Sequence, residues 1–325
     1  MSLKEEEIRP EKIFDEYLRL VKKDIKKLFN NVKLKEFLCP CCNVKGNYWV
    51  TKDGFTYKKC NKCSSIFLSP RPEAKVIENY YKDSESTKFW ATTFYKITEG
   101  PRREKLWKPK AALIKKLLPE KNYPKYIIDI GGGYGVFDEE ITKIMDCKPI
   151  IIEPSIHLSE ICKKKGFTVI EKFIDKIEKD ELPREKKCFV SFELFEHLHD
   201  PKQFLIDIYN LMSKGDSFIF TTLSGMGIDI QLLKENSKSL SPPHHLNFLN
   251  PKSVKEILSN IGYKGIKAFT PGKLDIDILF KNRKLIKDDF WGNLMDYLNK
   301  NELEELQEMV SKLGVSSHMM ISCKK

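Results

Sequence analysis

The stretch Tyr126-Ile-Ile-Asp-Ile-Gly-Gly-Gly-Tyr-Gly135, followed by Ile150-Ile-Ile-Glu-Pro154, constrains the fold more than any other part of the chain. An apolar run ends in Asp129, breaks into a glycine loop, and gives way to a second apolar run closed by Glu153. This order predicts a strand, a tight turn, a helix start, and a second strand with a carboxylate at its tip. Glycine lets backbone approach a ligand closely, and a carboxylate at that tip can accept both hydroxyls of a ribose. The expectation is a nucleoside-type ligand at the carboxyl ends of parallel strands.

The spacing narrows the ligand. A dinucleotide loop reads G-x-G-x-x-G, and its third small residue would fall at Val136, whereas here the glycines are Gly131, Gly133 and Gly135. Asp129 before the loop also opposes a pyrophosphate, which needs the loop and helix dipoles unopposed. It suits a ligand with a positive group. The pattern resembles motif I of class I S-adenosylmethionine-dependent methyltransferases, whose cofactor carries a sulfonium and an ammonium. The resemblance implies that Asp129, Gly131, Gly133 and Gly135 line the cofactor and that Glu153 holds its ribose. It also places Phe173, after the third strand, near the adenine, and Phe192, closing the fourth, beside the cofactor.

Nine cysteines are present. Cys39, Cys42, Cys60 and Cys63 form C-x2-C-x17-C-x2-C, the spacing of a zinc ribbon. Between the pairs, Tyr48 to Tyr57 reads as a hairpin turning at Asp53-Gly54. Cys41 is the spare thiol. A closed four-cysteine site is structural, since a catalytic zinc keeps an open position. Cys147, Cys162, Cys188 and Cys323 lie in or beside apolar runs and are expected as inert core thiols.

Four parts follow from the periodicity. Residues 1–36 form an amphipathic helix, 37–72 the ribbon, 73–120 an aromatic helical segment suited to a lid, and 121–325 a Rossmann-like α/β domain. Strands are expected near 126–130, 149–152, 167–170, 188–192, 217–222 and 264–270, with a last one at 317–323 and helix across 282–313. The family resemblance implies seven strands in the order 3-2-1-4-5-7-6, mostly parallel.

The fourth strand runs into Glu193-Leu-Phe-Glu-His197, and Ser241-Pro-Pro-His-His-Leu-Asn-Phe248 follows the fifth. His197, His199, His244 and His245 therefore lie beyond neighbouring strand ends, where open α/β sheets bind ligands. E-x-x-E-H with the distal His-His resembles a methyltransferase group that carries an N-terminal zinc ribbon and occurs in glycan and polysaccharide biosynthesis. The resemblance implies methyl transfer to a sugar or glycan hydroxyl.

Two chemistries fit the same residues. In one, His197 is the general base, oriented by Glu196 or Glu193, with His245 nearby. In the other, Glu193, Glu196, His197 and His245 hold Mg²⁺ or Mn²⁺, which acidifies an acceptor hydroxyl. A helix beginning at residue 193 would put positions 193, 196 and 197 on one face. A capping role for Glu196-His197 is the third possibility.

The formal net charge is +11, but lysine is spread along the chain among Asp and Glu. Without a dense basic patch interleaved with aromatics, a small-molecule or glycan acceptor is expected rather than nucleic acid. RNA 2′-hydroxyl methylation and a non-catalytic ribbon scaffold are the alternatives. No apolar run is long enough to span a membrane and no signal region opens the chain, so a cytoplasmic location is expected.

Overall fold

The computed structural model describes residues 3–119 and 123–325. The expected lid boundary at 120–121 and the chain's first two residues lie outside them. Two compact units are present. One comprises the chain up to Arg102 with Leu223–Ser253 and Thr270–Met319; the other comprises Arg103–Thr222, Val254–Phe269 and Met320–Lys325. Each unit joins segments distant in sequence into one body.

The second unit is built on a seven-stranded sheet. Numbered along the whole chain, the strands are β1 (Gly46–Lys52), β2 (Phe55–Cys60), β3 (Ile66–Leu68), β4 (Tyr126–Ile130), β5 (Lys148–Ile152), β6 (Thr168–Ile170), β7 (Lys187–Phe192), β8 (Ser217–Leu223), β9 (Asn247–Phe248), β10 (Lys264–Phe269) and β11 (His318–Lys324). The large sheet runs β6-β5-β4-β7-β8-β11-β10. This chain-wide order differs in its labels from the expected 3-2-1-4-5-7-6, which counted the strands of this sheet alone. β1, β2, β3 and β9 belong to another sheet. Pairings β4–β5, β4–β7, β5–β6 and β7–β8 are parallel, and β10–β11 is antiparallel.

Parallel strands buried on both faces read as unbroken apolar runs, and every residue of β7 is buried. Alternation along β8 then divides the core. Ile219 points to one face, into a cluster with Ile127, Phe137, Val190, Ala111 and Ile114. Phe218 and Phe220 stack on the other, joined by Phe195, Phe204 and Tyr263. Each such side chain contributes about 1.5–3 kcal/mol on leaving water. Asp129 is in register with Ile151 of β5 and Val190 of β7, so β4 and β5 end level and β7 runs one residue further.

In the first unit, helix Glu11–Leu28 buries Phe14, Tyr17, Leu20 and Val21. Its buried Asp24 accepts hydrogen bonds from Glu85 N and Ser86 N, closing the open start of helix Glu85–Phe89. Of the aromatics of the expected lid segment, Tyr80, Phe89, Trp90 and Phe94 pack here. Trp90 stacks on Phe94 at 4.2 Å and meets Tyr17 at 4.9 Å. The expected hairpin is β1–β2, with Lys52 paired to Phe55 across Asp53 (φ 47°) and Gly54 (φ 83°). Both turn residues sit in the left-handed region that a two-residue hairpin requires.

The Pro-Pro-His-His-Leu-Asn-Phe segment ends in a strand. Its Asn247 and Phe248 pair with Phe67 and Ile66 as β9, a fourth ribbon strand, because the Phe248 ring is fully buried 5.8 Å from Tyr57. Helix across 282–313 is interrupted after Tyr297. Asn299 accepts hydrogen bonds from Asn301 N and Glu302 N, and Glu302 accepts one from Asn299 N, a reciprocal cap that starts Lys300–Lys312 afresh.

Candidate active site

The glycine loop leaves β4 and starts helix Val136–Thr142. Gly131 (φ 73°), Gly133 (φ 56°) and Gly135 (φ 66°) all take left-handed backbone, and Gly131 N donates to Ile152 O at 2.8 Å, tying the loop to the end of β5. Gly132 is needed for space instead: a Cβ there would lie 2.8 Å from Ile151 Cγ2 and 3.0 Å from Asp129 Oδ2. Glu153 stands beside the loop, accepting Gly133 N at 3.2 Å and Ser155 N at 2.9 Å. A carboxylate has about four acceptor positions, so two remain for a diol.

The acids below the loop fit a polar, partly cationic ligand. Asp129 Oδ1 and both carboxyl oxygens of Asp138 are buried with no side-chain partner other than each other's carboxyl. Burial, then the Asp138 and Glu153 charges, hold the Asp129 carboxyl well above the usual range. Burial likewise raises Asp138 to about 7 and pushes Glu153 upward. Buried acids that give up protons this reluctantly gain from a positive neighbour.

Beyond β7 the backbone turns sharply. Glu193 takes φ 52°, Phe195–His197 forms one tight turn, and the helix starts only at Pro201, capped by Asp200. The expected helix from residue 193 is therefore absent, because Pro201 and its cap fix the start later. Glu193 Oε1 accepts from Thr221 Oγ1 at 2.7 Å and faces Lys110 Nζ at 3.4 Å. Glu196 is 2% exposed, and its Oε2 accepts from Thr222 Oγ1 at 2.9 Å. Burial first, and the Glu193 charge second, raise Glu196 to about 8. His197 is half-buried in the same turn.

Residues 102–268 match the family described as a methyltransferase domain. The chain belongs to the methyltransferase domain family. It is an enzyme with a methyltransferase domain. No curated protein matches it. Among solved structures, the plantazolicin methyltransferase BpumL with a monoazolic analogue and S-adenosylhomocysteine is 14% identical, covers 77% of this chain and 93% of its own, and has a TM-score of 0.50. A possible histamine N-methyltransferase from Thermotoga maritima is 16% identical over 73% of this chain and 98% of its own, with a TM-score of 0.47. Phosphoethanolamine N-methyltransferase 2 of Haemonchus contortus is 17% identical over 68% of this chain, with a TM-score of 0.47. The match spans 53% of the length of that protein.

Elsewhere the methyltransferase disposes of the expected residues unevenly. Phe173 is 61% exposed, and the acid before it, Glu171, bonds Ser159 Oγ and Lys163. Phe192 is a core residue, its ring 4.6 Å from Phe137 and 5.9 Å from Trp107. In the first unit, His244 is buried with Nε2 2.7 Å from Tyr80 Oη, and burial lowers it to about 3, so it is neutral. His245 Nδ1 lies 2.6 Å from Ser239 O. A carbonyl only accepts, so the proton is on Nδ1. His199 and His318 are half-buried.

The four ribbon thiols converge. Sγ–Sγ distances are 3.4 Å for Cys39–Cys63, 3.3 Å for Cys42–Cys60 and 3.7 Å for Cys42–Cys63, and all four lie within 4.8 Å of one another. A tetrahedral zinc with 2.3 Å bonds needs edges of about 3.8 Å. Cys41 donates to Ser253 O at 3.2 Å. Burial raises Cys147 and Cys162 to about 12 and holds Cys188 and Cys323 higher still, as expected of inert thiols. Thr222 and Lys110 carry no local sequence signal; Thr221 and Thr222 could be noticed only as paired hydroxyls at a strand end.

Proposed function

We propose that the enzyme methylates a hydroxyl of a small polyhydroxylated acceptor, a sugar or glycan precursor. The observation that carries this reading is the set beyond β7 and β8: a buried Glu196 held by Thr222, with His197 in the same turn and Glu193 turned by a strained backbone. Glu196 keeps its proton near neutral pH, so it donates or shares a hydrogen bond. His197 is left as the group that accepts the acceptor's proton. S-adenosylmethionine supplies a methyl group already electrophilic enough to need only an oriented, deprotonating oxygen. Asp129, Gly131, Gly133, Gly135 and Glu153 would hold that cofactor.

A zinc ion in Cys39, Cys42, Cys60 and Cys63 fits as a structural element, since four thiols leave no open position. The dispersal of lysine among acids supports a small-molecule acceptor over nucleic acid; no helix is long and apolar enough to cross a membrane among the described residues. The test supplies methyl-labelled cofactor with nucleotide-sugars, free glycans and RNA. Label recovered as a sugar methyl ether is expected. Label confined to RNA would overturn the acceptor class.

A further inference from the structure

Lys110 sits on the helix Lys108–Leu117, remote in sequence from the carboxylate and the hydroxyl it meets. Its Nζ is 3.4 Å from Glu193 Oε1 and 3.4 Å from Thr221 Oγ1, across separations of 83 and 111 positions. The ammonium also lies 4.6 Å from the ring centroid of Phe192 and 4.8 Å from that of Trp107. Its side chain is 11% exposed against 37% for Glu193. A cation with aromatic faces behind it has lost much of its water and interacts strongly with what lies in front.

In front is a carboxylate in an unusual pose. Glu193 holds a left-handed φ of 52°, which a side chain with a Cβ resists. Three contacts converge to hold it: Glu193 N to Thr221 O at 3.2 Å, Thr221 Oγ1 to Oε1 at 2.7 Å, and the ammonium. Strain kept at a strand end is retained when surrounding groups over-determine it.

We propose that Lys110 is a positioning residue of the acceptor site, supplying the resident cation for Glu193 in place of a divalent metal ion. The proposal rests on the acceptor lying beyond β7 and β8. A divalent ion on Oε1 would have to share that oxygen with a hydroxyl donor and approach a desolvated ammonium of like charge. The fixed cation does the orienting work at no cost in metal binding. Glu193 is thereby presented to an acceptor hydroxyl as a hydrogen-bond acceptor.

The test titrates Mn²⁺ into zinc-loaded full-length protein, following the free-ion electron paramagnetic resonance signal, for wild type, Glu193→Gln, Lys110→Arg, Lys110→Gln and the Lys110→Gln/Glu193→Gln double variant. Wild type, Glu193→Gln and Lys110→Arg should bind Mn²⁺ alike. Lys110→Gln should gain about tenfold or more in affinity, and the double variant should lose that gain, because only an uncompensated Glu193 attracts the ion. Wild type binding Mn²⁺ about tenfold tighter than Glu193→Gln would overturn the proposal, as would equal binding by wild type and Lys110→Gln. The wild-type comparison decides even where Lys110→Gln fails to fold. Calorimetry with S-adenosylhomocysteine reports separately on the cofactor site: its failure would sink that reading and leave the Mn²⁺ comparison standing.

Discussion

Thr222 donates a 2.9 Å hydrogen bond to the carboxyl of Glu196, which is 2% exposed and raised to about 8 by its burial and by the Glu193 charge. Folded Glu196 binds its proton more tightly than the unfolded group, whose ordinary value is 4.5. Its contribution to stability is therefore fully present below that value and lost as pH rises through about 8. Glu196→Gln cannot ionise. It should lose about 3–4 kcal/mol less stability than wild type between pH 5 and 8, at about 1.4 kcal/mol per pK unit. Urea melts at three pH values check this; parallel slopes for the two proteins would refute it.

Glu153 anchors the glycine loop and offers its remaining acceptor positions outward. Glu153→Ala should weaken S-adenosylhomocysteine binding by about 1–3 kcal/mol, the loss of charge-assisted hydrogen bonds. Glu153→Gln should recover part of it by retaining one carbonyl acceptor. Calorimetric titration decides, and an unchanged affinity in the alanine variant removes Glu153 from the cofactor site.

Gly132→Ala puts a methyl group against Ile151 and Asp129. Neither neighbour can retreat far, since both lie in central strands, so the loop must shift. The cost should be about 1–3 kcal/mol of stability, with weaker cofactor binding. Gly133→Ala meets no atom within 4 Å, and its cost comes from the left-handed backbone alone, about 1–2 kcal/mol.

Cys60→Ser should abolish metal retention and lower the melting temperature, while Cys41→Ser, whose thiol bonds Ser253 O outside the quartet, should keep one zinc per chain. Elemental analysis of the two variants separates the assignments. Zinc lost equally from both would mean the quartet is chosen wrongly.

His197→Gln should lower the rate of methyl transfer about 10²–10⁴-fold with S-adenosylhomocysteine affinity preserved, the pattern of a lost general base. Single-turnover rates on the acceptor identified by the labelling screen measure it. A rate within a few-fold of wild type would leave His197 as a turn residue only.

Much of this molecule is written locally. Asp129, the glycine loop and Glu153 announce strand, turn and second strand because left-handed backbone and close approach leave glycine as the residue that fits. The paired C-x2-C knuckles and Asp53-Gly54 announce the ribbon in the same way, since turn geometry depends on a few adjacent residues. These signals placed the glycine loop and the thiol quartet. What the tertiary structure alone decided is which distant side chains meet. Lys110 facing Glu193, β9 completing the ribbon sheet, Phe192 withdrawn into the core and Thr222 supporting Glu196 all depend on packing between segments far apart in sequence. The free energy that selects them is burial of apolar faces and pairing of buried polar groups, and it leaves no trace in the spacing of neighbouring residues.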